Sequence, residues 1–181
     1  MIRREYEFLD FNSPMDDKTA AALVEEVSHR EPERIIDVGC GWAELLLRIL
    51  EAYPTATGLG IENDGRLTER AMKNASARGL LDRISFRTEI SPTDQSDVAL
   101  CVGSEHVFGS LEEALRGLRA FVTQGGTLLL GTLFWEQPPT SELTADFAEV
   151  EELDAVIATA ESSGWVPVSY THLTLPTTPY V

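Results

Sequence analysis

Residues 36–43, IDVGCGWA, constrain the fold of this chain more than any other segment. They begin within a short β-branched run at residues 33–38 and lead into a helical pattern of leucine and isoleucine at residues 42–51. Gly39 permits a tight turn from strand to helix, and Gly41 lets a ligand approach the backbone closely. The segment therefore predicts a strand, a glycine turn and a helix, with a ligand site at the start of the helix.

Strand-like apolar runs alternate with amphipathic helical patterns along the rest of the chain. The predicted helices are residues 17–30, 42–51, 65–79, 111–122 and 149–163. The predicted strands are residues 33–38, 56–61, 83–87, 97–102, 126–135 and the beginning of a sixth at 165–168. Continuously apolar strands are typical of a sheet that is covered on both sides. We expect an α/β fold, Rossmann-like and doubly wound, with a mostly parallel sheet and helices on both faces.

The composition narrows the possible partners. A chain of 181 residues suits one domain, and 14 Lys+Arg against 30 Asp+Glu give a net charge of −16. Such a charge argues against nucleic acids and anionic membranes as partners. Cys40 and Cys101 form no Cys-x-x-Cys pair, which argues against a disulfide framework or a cysteine-based zinc site. No targeting segment is visible, so we expect a cytoplasmic protein.

The dinucleotide-binding pattern Gly-x-Gly-x-x-Gly is incomplete at residues 39–44. Glu44 stands where the third glycine is needed, and a carboxylate there would face the pyrophosphate. Asp37, which precedes the glycines, also differs from that fingerprint. Other Rossmann-like enzymes, such as an NAD-linked dehydrogenase or an aminopropyltransferase, stay open as alternatives.

Four features in this order resemble the class I S-adenosylmethionine (SAM)-dependent methyltransferases over about residues 17–167. They are the DVGCGWA turn, the acidic end of the second strand, an Asp-led fourth strand and a Gly-Gly-led fifth strand. The pattern Cys-x-Gly-x-x-His-x-Phe-Gly at residues 101–109 and Phe-Trp-Glu-x-Pro-Pro at 134–139 resemble a bacterial group that acts on small molecules. The resemblance implies SAM as cofactor and in-line methyl transfer to a small-molecule acceptor.

The resemblance also implies a set of cofactor-binding residues. They are Asp37, Gly39, Cys40, Gly41, Glu62, Asn63, Glu89, Gly103 and Ser104. The acid and glycines of the first turn would line the methionine end of SAM. Glu62 would accept hydrogen bonds from the ribose hydroxyls, and Asn63 would lie beside the adenine. Glu89 is shifted by one position from the acid that meets the adenine amino group in the family. Gly103 and Ser104 would close over the cofactor.

The residues alone also allow a purely structural interpretation of the acids. Asp37 would then bond the amides of its own loop. Glu62, Asn63 and Asp64 would form a polar turn in which Asp64 caps the next helix.

His106 is the candidate general base, because it follows the fourth strand and an unperturbed imidazole titrates near neutral pH. A structural role in its loop is the alternative, and we expect its neighbour Glu105 to be solvated. Phe108 and Trp135 are the candidate substrate residues, although the Phe-Trp pair at 134–135 could equally belong to the core. The aromatic residues Tyr6, Phe8 and Phe11 of the N-terminal arm complete the predicted substrate pocket.

The predicted boundaries are an arm at residues 1–16, a domain at 17–167 and a tail at 168–181. The tail, VSYTHLTLPTTPYV, carries no Asp, Glu, Lys or Arg and resembles an in-frame translation of a sequencing adapter. A genuine Thr/Pro-rich tail is the other interpretation. If the adapter interpretation holds, we expect the sheet to be truncated after the fifth or sixth strand. A SAM-binding fragment without catalysis is then the alternative function.

Overall fold

The computed structural model of the chain describes residues 8–13, 15–28, 31–91, 93–140, 147 and 150–171. The helices are α1 (Asp17–Ser28), α2 (Glu44–Ala52), α3 (Gly65–Ala77), α4 (Leu111–Arg119) and α5 (Leu153–Ser162), with a short 3₁₀ helix at Glu105–Phe108. The strands are β1 (Arg34–Val38), β2 (Thr57–Ile61), β3 (Ile84–Arg87), β4 (Ser96–Val102), β5 (Val122–Gly131), β6 (Phe134–Trp135) and β7 (Glu151–Glu152).

The main sheet has five parallel strands in the order β3-β2-β1-β4-β5. The chain runs outward from β1 through β2 to β3 and then crosses to β4 on the other side of β1. This reversal opens a crevice at the carboxyl ends of β1 and β4, which is where open α/β sheets bind ligands. The predicted doubly wound parallel sheet is confirmed.

Alternate side chains of the sheet enter two different cores. Ile35 of β1 and Leu100 of β4 pack with α1, α2 and α3 on one face. Ile36 and Cys101, one position along each strand, pack with Leu118 of α4 on the other face. The predicted helices on both faces are therefore confirmed. None of the helices in the described part of the chain is long and apolar enough to cross a membrane.

Two strand predictions are wrong. The run at residues 126–135 is not one strand, because β5 ends at Gly131 and β6 pairs with β7 in a separate two-stranded sheet. No strand forms at residues 165–168, where Val166 and Val168 are exposed. The chain turns away after Gly164 (φ +85°), and the Trp165 indole N–H donates to the carbonyl of Leu115 in α4 at 3.0 Å. The contact between Trp165 and α4 thus takes the place of the strand that the sequence pattern predicts.

Candidate cofactor site

The glycine turn after β1 is held against the end of β2. The backbone N–H groups of Gly39 and Cys40 both donate to the carbonyl of Ile61, at 2.9 and 3.1 Å. Gly39 has φ +72°, and a Cβ at this position would overlap the side chain of Ser104. Gly41 has φ +57°. Both predicted glycines therefore occupy the left-handed backbone region that disfavours side chains, and Gly39 also lacks the space for one.

Glu62, the residue after β2, reaches across to this turn. Its Oε2 accepts a hydrogen bond from the Gly41 N–H at 3.0 Å, and its Oε1 accepts one from the Asp64 N–H at 2.9 Å. Asp64 itself caps α3 by accepting from the Arg66 N–H at 2.9 Å. The predicted helix cap is therefore present at Asp64, whereas Glu62 joins the ends of β1 and β2.

Asp37 lies at the end of β1 with only 5% of its surface exposed. Burial, together with the negative charge of Glu62, raises the pKa of Asp37 to about 7. Removing a carboxylate from water disfavours its charged form, and a nearby like charge adds to this effect. A cationic ligand group in this crevice would act in the opposite direction and favour the charged carboxylate.

The end of β4 closes the other side of the crevice. The buried Ser104 hydroxyl donates to the carbonyl of Val38 at 2.5 Å, which ties the ends of β4 and β1 together. Gly103 has φ +69°, and a Cβ built there meets no atom within 4 Å. Its backbone is therefore open to a ligand. Burial raises the pKa of both the Cys40 and the Cys101 thiols, to about 11 for Cys101, so neither is an activated nucleophile.

A cleft of about 90 Å³ lies between these elements. Its lining includes Asp37, Gly39, Cys40 and Gly103 from the predicted set and residues 11–13 from the N-terminal arm. Its two acidic side chains, Asp37 and Glu44, its open glycine backbone and the adjoining Glu62 carboxylate fit a ligand that carries a cation and hydroxyl groups. A larger cavity of about 330 Å³ is lined by the amino ends of β1 and β2, including Arg34 and Thr57. It lies away from the carboxyl ends, where parallel sheets bind ligands.

Solved structures match this fold over most of the chain. A SAM-dependent methyltransferase from Geobacter sulfurreducens, in complex with S-adenosylhomocysteine, gives a TM-score of 0.81 at 24% identity, covering 91% of this chain and 70% of that one. This chain has the fold of the SAM-dependent methyltransferases. The mitomycin 7-O-methyltransferase MmcR gives a TM-score of 0.62 at 21% identity, covering 81% of this chain and 48% of that one.

Curated relatives match at low identity. The uncharacterised protein YjhP of Escherichia coli is 27% identical over 135 residues, which are 72% of this chain and 54% of YjhP. Methyltransferase ungE′ of Aspergillus campestris is 31% identical over 109 residues, 55% of this chain and 32% of ungE′. The 23S rRNA (uracil(1939)-C(5))-methyltransferase RlmD of Stenotrophomonas maltophilia is 27% identical over 93 residues, 51% of this chain and 20% of RlmD. No family model matches the chain. The chain spans about half the length of YjhP and a third of ungE′.

Glu44 plays a different part in this methyltransferase fold from the one expected. It begins α2 with 8% of its surface exposed, and its carboxylate is bound by Arg48 at 2.7 Å and by Arg78 at 2.6 Å. Two guanidinium groups therefore neutralise the charge that was expected to repel a pyrophosphate. The side chain still fills the third glycine position of the dinucleotide fingerprint, where close packing of helix and strand needs glycine.

The residues after β4 differ in how far they are buried. His106 is exposed, and Phe108 is half-buried in the second core, where it packs against Gly117 of α4. Their predicted roles as base and substrate residue stay predictions. Glu105 is not solvated as expected, because its Oε1 accepts from the Thr132 hydroxyl at 2.9 Å. Its Oε2 is buried, with no hydrogen-bond partner among the described residues.

Trp135 is half-buried in β6, and its ring meets the Phe147 ring edge-on at 6.3 Å. Asn63 and Glu89 are exposed at the same sheet edge as the glycine turn, after β2 and β3 respectively. Their predicted contacts with adenine stay predictions.

Of the described aromatic residues of the N-terminal arm, Phe11 is buried and Phe8 is exposed, so these two do not meet in one pocket. Phe11 is buried in the first core and lies under the Arg48 guanidinium, which is 4.7 Å from its ring centre. Phe8 is 89% exposed, and Tyr6 lies outside the described residues. Sequence patterns did not reveal that residues 11–13 instead line the cleft beside the glycine turn. The only local signal for this path is Pro14, because a proline directly after Ser13 disfavours a helical backbone there.

Proposed function

We propose that this chain binds SAM and belongs to an enzyme that transfers the methyl group to a small-molecule acceptor. The observation that carries the proposal is the convergence of Asp37 and Glu62 on one glycine turn, with Glu62 Oε2 3.0 Å from the Gly41 nitrogen. Two acids at this point suit a cationic ligand with hydroxyl groups better than the anionic pyrophosphate of NAD.

The two acids would bind different ends of the cofactor. A carboxylate oxygen has two lone pairs, so Glu62 keeps acceptor sites for ribose hydroxyls while it holds the Gly41 and Asp64 amides. Asp37, which burial tends to neutralise, would regain its charge beside the cationic end of the cofactor. Binding of SAM and ionisation of Asp37 would therefore favour each other.

SAM supplies a methyl group that is already activated for displacement. The protein's contribution is then to bind and orient the two reactants, which can supply up to about 7–11 kcal/mol of the barrier reduction. Ser104 fixes the end of β4 to β1, and Glu105 and His106 follow directly on the 3₁₀ helix. His106 would accept a proton only from an acceptor that is bound at this exposed surface.

A small-molecule acceptor agrees with the charge of the chain and with part of the comparisons. The net charge of −16 opposes binding to RNA, although one relative, RlmD, is an rRNA methyltransferase. The name of MmcR points to a small molecule as its acceptor. A cytoplasmic bacterial setting belongs to the same proposal, and its bacterial part is supported by the bacterial sources of YjhP and the Geobacter structure.

The test uses SAM with a tritium-labelled methyl group, incubated with the chain and a bacterial extract and then separated by size. We expect label in the small-molecule fraction, and we expect none with the Gly39→Val variant, whose cofactor site is blocked. Label in the nucleic-acid fraction would contradict the acceptor class.

A domain that binds SAM without transferring the methyl group is the second candidate. The exposure of Val107 and Leu133, which follow β4 and β5, favours it, because apolar side chains that face solvent do not enclose an acceptor. Binding of S-adenosylhomocysteine without any transfer of label would support this second candidate over the first.

A further inference from the structure

Residues 8–13, here called the N-terminal strap, lie across the glycine turn. The Trp42 indole N–H donates to the carbonyl of Asp10 at 2.6 Å. The Arg70 guanidinium donates to the carbonyl of Leu9 at 2.7 Å and lies over the Trp42 ring at 3.7 Å. Both hydrogen bonds end on backbone carbonyls of the strap. The path of the strap is therefore set by α3 and the glycine turn, independently of its own polar side chains.

This path places Asn12 beside Gly41. A Cβ built on Gly41 would lie 3.1 Å from the Asn12 Cβ and 3.2 Å from the Asn12 Nδ2. Asn12 also lines the cleft that contains Asp37 and Gly103. Within the part of the chain that the structure describes, no hydrogen bond of the Asn12 side chain is present. Its amide group is therefore available to a ligand in the cleft.

The amino-acid end of SAM carries an ammonium group and a carboxylate, which need different partners. Asp37 can serve the ammonium, but the lining of the cleft includes no Lys or Arg for the carboxylate. Of the amide and indole donors in this lining, the Trp42 N–H is already bound to Asp10. The Asn12 amide is the free one, and an amide N–H donates well to a carboxylate.

We propose that Asn12 is a cofactor-binding residue that donates a hydrogen bond to the carboxylate of the amino-acid end of SAM. The strap would then form the wall of the site that recognises this end, whereas Glu62 and Asn63 would bind the adenosine end. This inference rests on the proposed function and adds a residue to its cofactor site.

The test compares two ligands by isothermal titration calorimetry. S-adenosylhomocysteine carries the amino-acid end, whereas methylthioadenosine has the same nucleoside without it. Asn12→Ala is expected to weaken S-adenosylhomocysteine about tenfold, which is about 1.4 kcal/mol, and to leave methylthioadenosine within about twofold. Asn63→Ala is the matched control, because it removes the same exposed amide from the adenosine end. It is expected to weaken both ligands by the same factor.

A second substitution separates charge from shape. Asn12→Asp keeps the size of the side chain but sets a carboxylate against the carboxylate of the ligand. It is expected to weaken S-adenosylhomocysteine more than Asn12→Ala does, again with methylthioadenosine unchanged. An equal loss for both ligands in the Asn12 variants would overturn the proposal, since Asn12 would then only support the strap.

Unchanged binding of both ligands by the Asn12 variants would overturn it too. Failure of the unaltered chain to bind either nucleoside would instead refute the proposed function itself, and this inference with it.

Discussion

The two sides of the crevice differ in how their polar groups are held. At the ends of β1 and β2, Asp37 is buried and Glu62 accepts from two backbone N–H groups. After β4 and β5, His106 is exposed and Leu133 is 57% exposed. The first region, here called the cofactor side, takes both of its acids from the ends of two neighbouring strands. In the second, here called the acceptor side, the candidate base is exposed to solvent. Substitutions should therefore change cofactor affinity on one side and only methyl transfer on the other.

The largest effect is expected from Gly39→Val on the cofactor side. A side chain at this position would overlap Ser104, and the φ of +72° is unfavourable for a β-branched residue. We expect binding of S-adenosylhomocysteine to fall by more than about a hundredfold, because the turn must move to admit the side chain. Isothermal titration calorimetry measures the loss.

Gly79→Val is the matched control for this variant. Gly79 has a similar φ of +68°, but a Cβ there meets no atom within 4 Å. The control therefore carries the backbone strain without the overlap, and it should keep its affinity for S-adenosylhomocysteine. If the two variants lost affinity equally, the glycine turn would not be the site.

Glu62→Ala is expected to have the next largest effect. It removes the acceptor of the Gly41 and Asp64 amides as well as the proposed partner of the ribose hydroxyls. Hydrogen bonds to a charged group contribute about 1.5–3 kcal/mol each, and water replaces part of this, so we expect an affinity loss of about ten- to a hundredfold. Glu69→Ala, which removes an exposed acid from α3, should leave the affinity unchanged. Wild-type affinity in Glu62→Ala would remove Glu62 from the site.

Asp37→Asn should change stability in a pH-dependent way. Because the pKa of Asp37 is raised to about 7 in the folded chain, the native state holds this proton more firmly than the unfolded state. Its contribution to stability is therefore full at acidic pH, falls between about pH 4 and pH 7, and is lost above pH 7. The neutral Asn avoids this loss.

The melting temperature of Asp37→Asn should thus exceed that of the unaltered chain by a few degrees at pH 8 and match it at pH 4. Its affinity for S-adenosylhomocysteine should nevertheless fall, because the charged partner of the ligand is gone. A lower melting temperature at pH 8 would contradict the assigned burial of the charge.

The smallest effect on cofactor binding is expected from His106→Ala on the acceptor side. Because the side chain is exposed, we expect the affinity for S-adenosylhomocysteine to stay within about twofold and the melting temperature within about 2 °C. Transfer of labelled methyl groups is the sensitive measurement here, and a loss confined to transfer would place His106 at the acceptor. A large loss of cofactor affinity would erase the difference between the two sides.

The fold was predictable from the sequence where the pattern is local. Glycine turns, apolar strands and the Asp64 cap are each encoded by a few neighbouring residues. The predicted order of elements is confirmed from α1 to β5. The predicted strand over residues 126–135 failed because periodicity does not show where a chain leaves its sheet. The predicted sixth strand does not form, because the Trp165 indole is hydrogen-bonded to α4 and the chain does not join the sheet.

The candidate site was predictable only in part, for a similar reason. The residues of the glycine turn and Glu62 could be read from their positions after consecutive strands. The pairing of Glu44 with Arg78 joins residues 34 positions apart, and that of Glu105 with Thr132 joins residues 27 apart. Neither pairing has a pattern in the sequence. The same holds for the strap, whose contacts with α3 bring Asn12 to Gly41.

The central claim is that the cofactor side binds SAM, and a thermal melt with ligand tests it most directly. A ligand at about 100 times its dissociation constant stabilises the native state by about 2.7 kcal/mol. For a chain of this size, the melting temperature should rise by about 5–10 °C with S-adenosylhomocysteine. NAD at the same concentration should leave it unchanged. A cooperative melt that S-adenosylhomocysteine does not shift, or that NAD shifts further, would contradict the account.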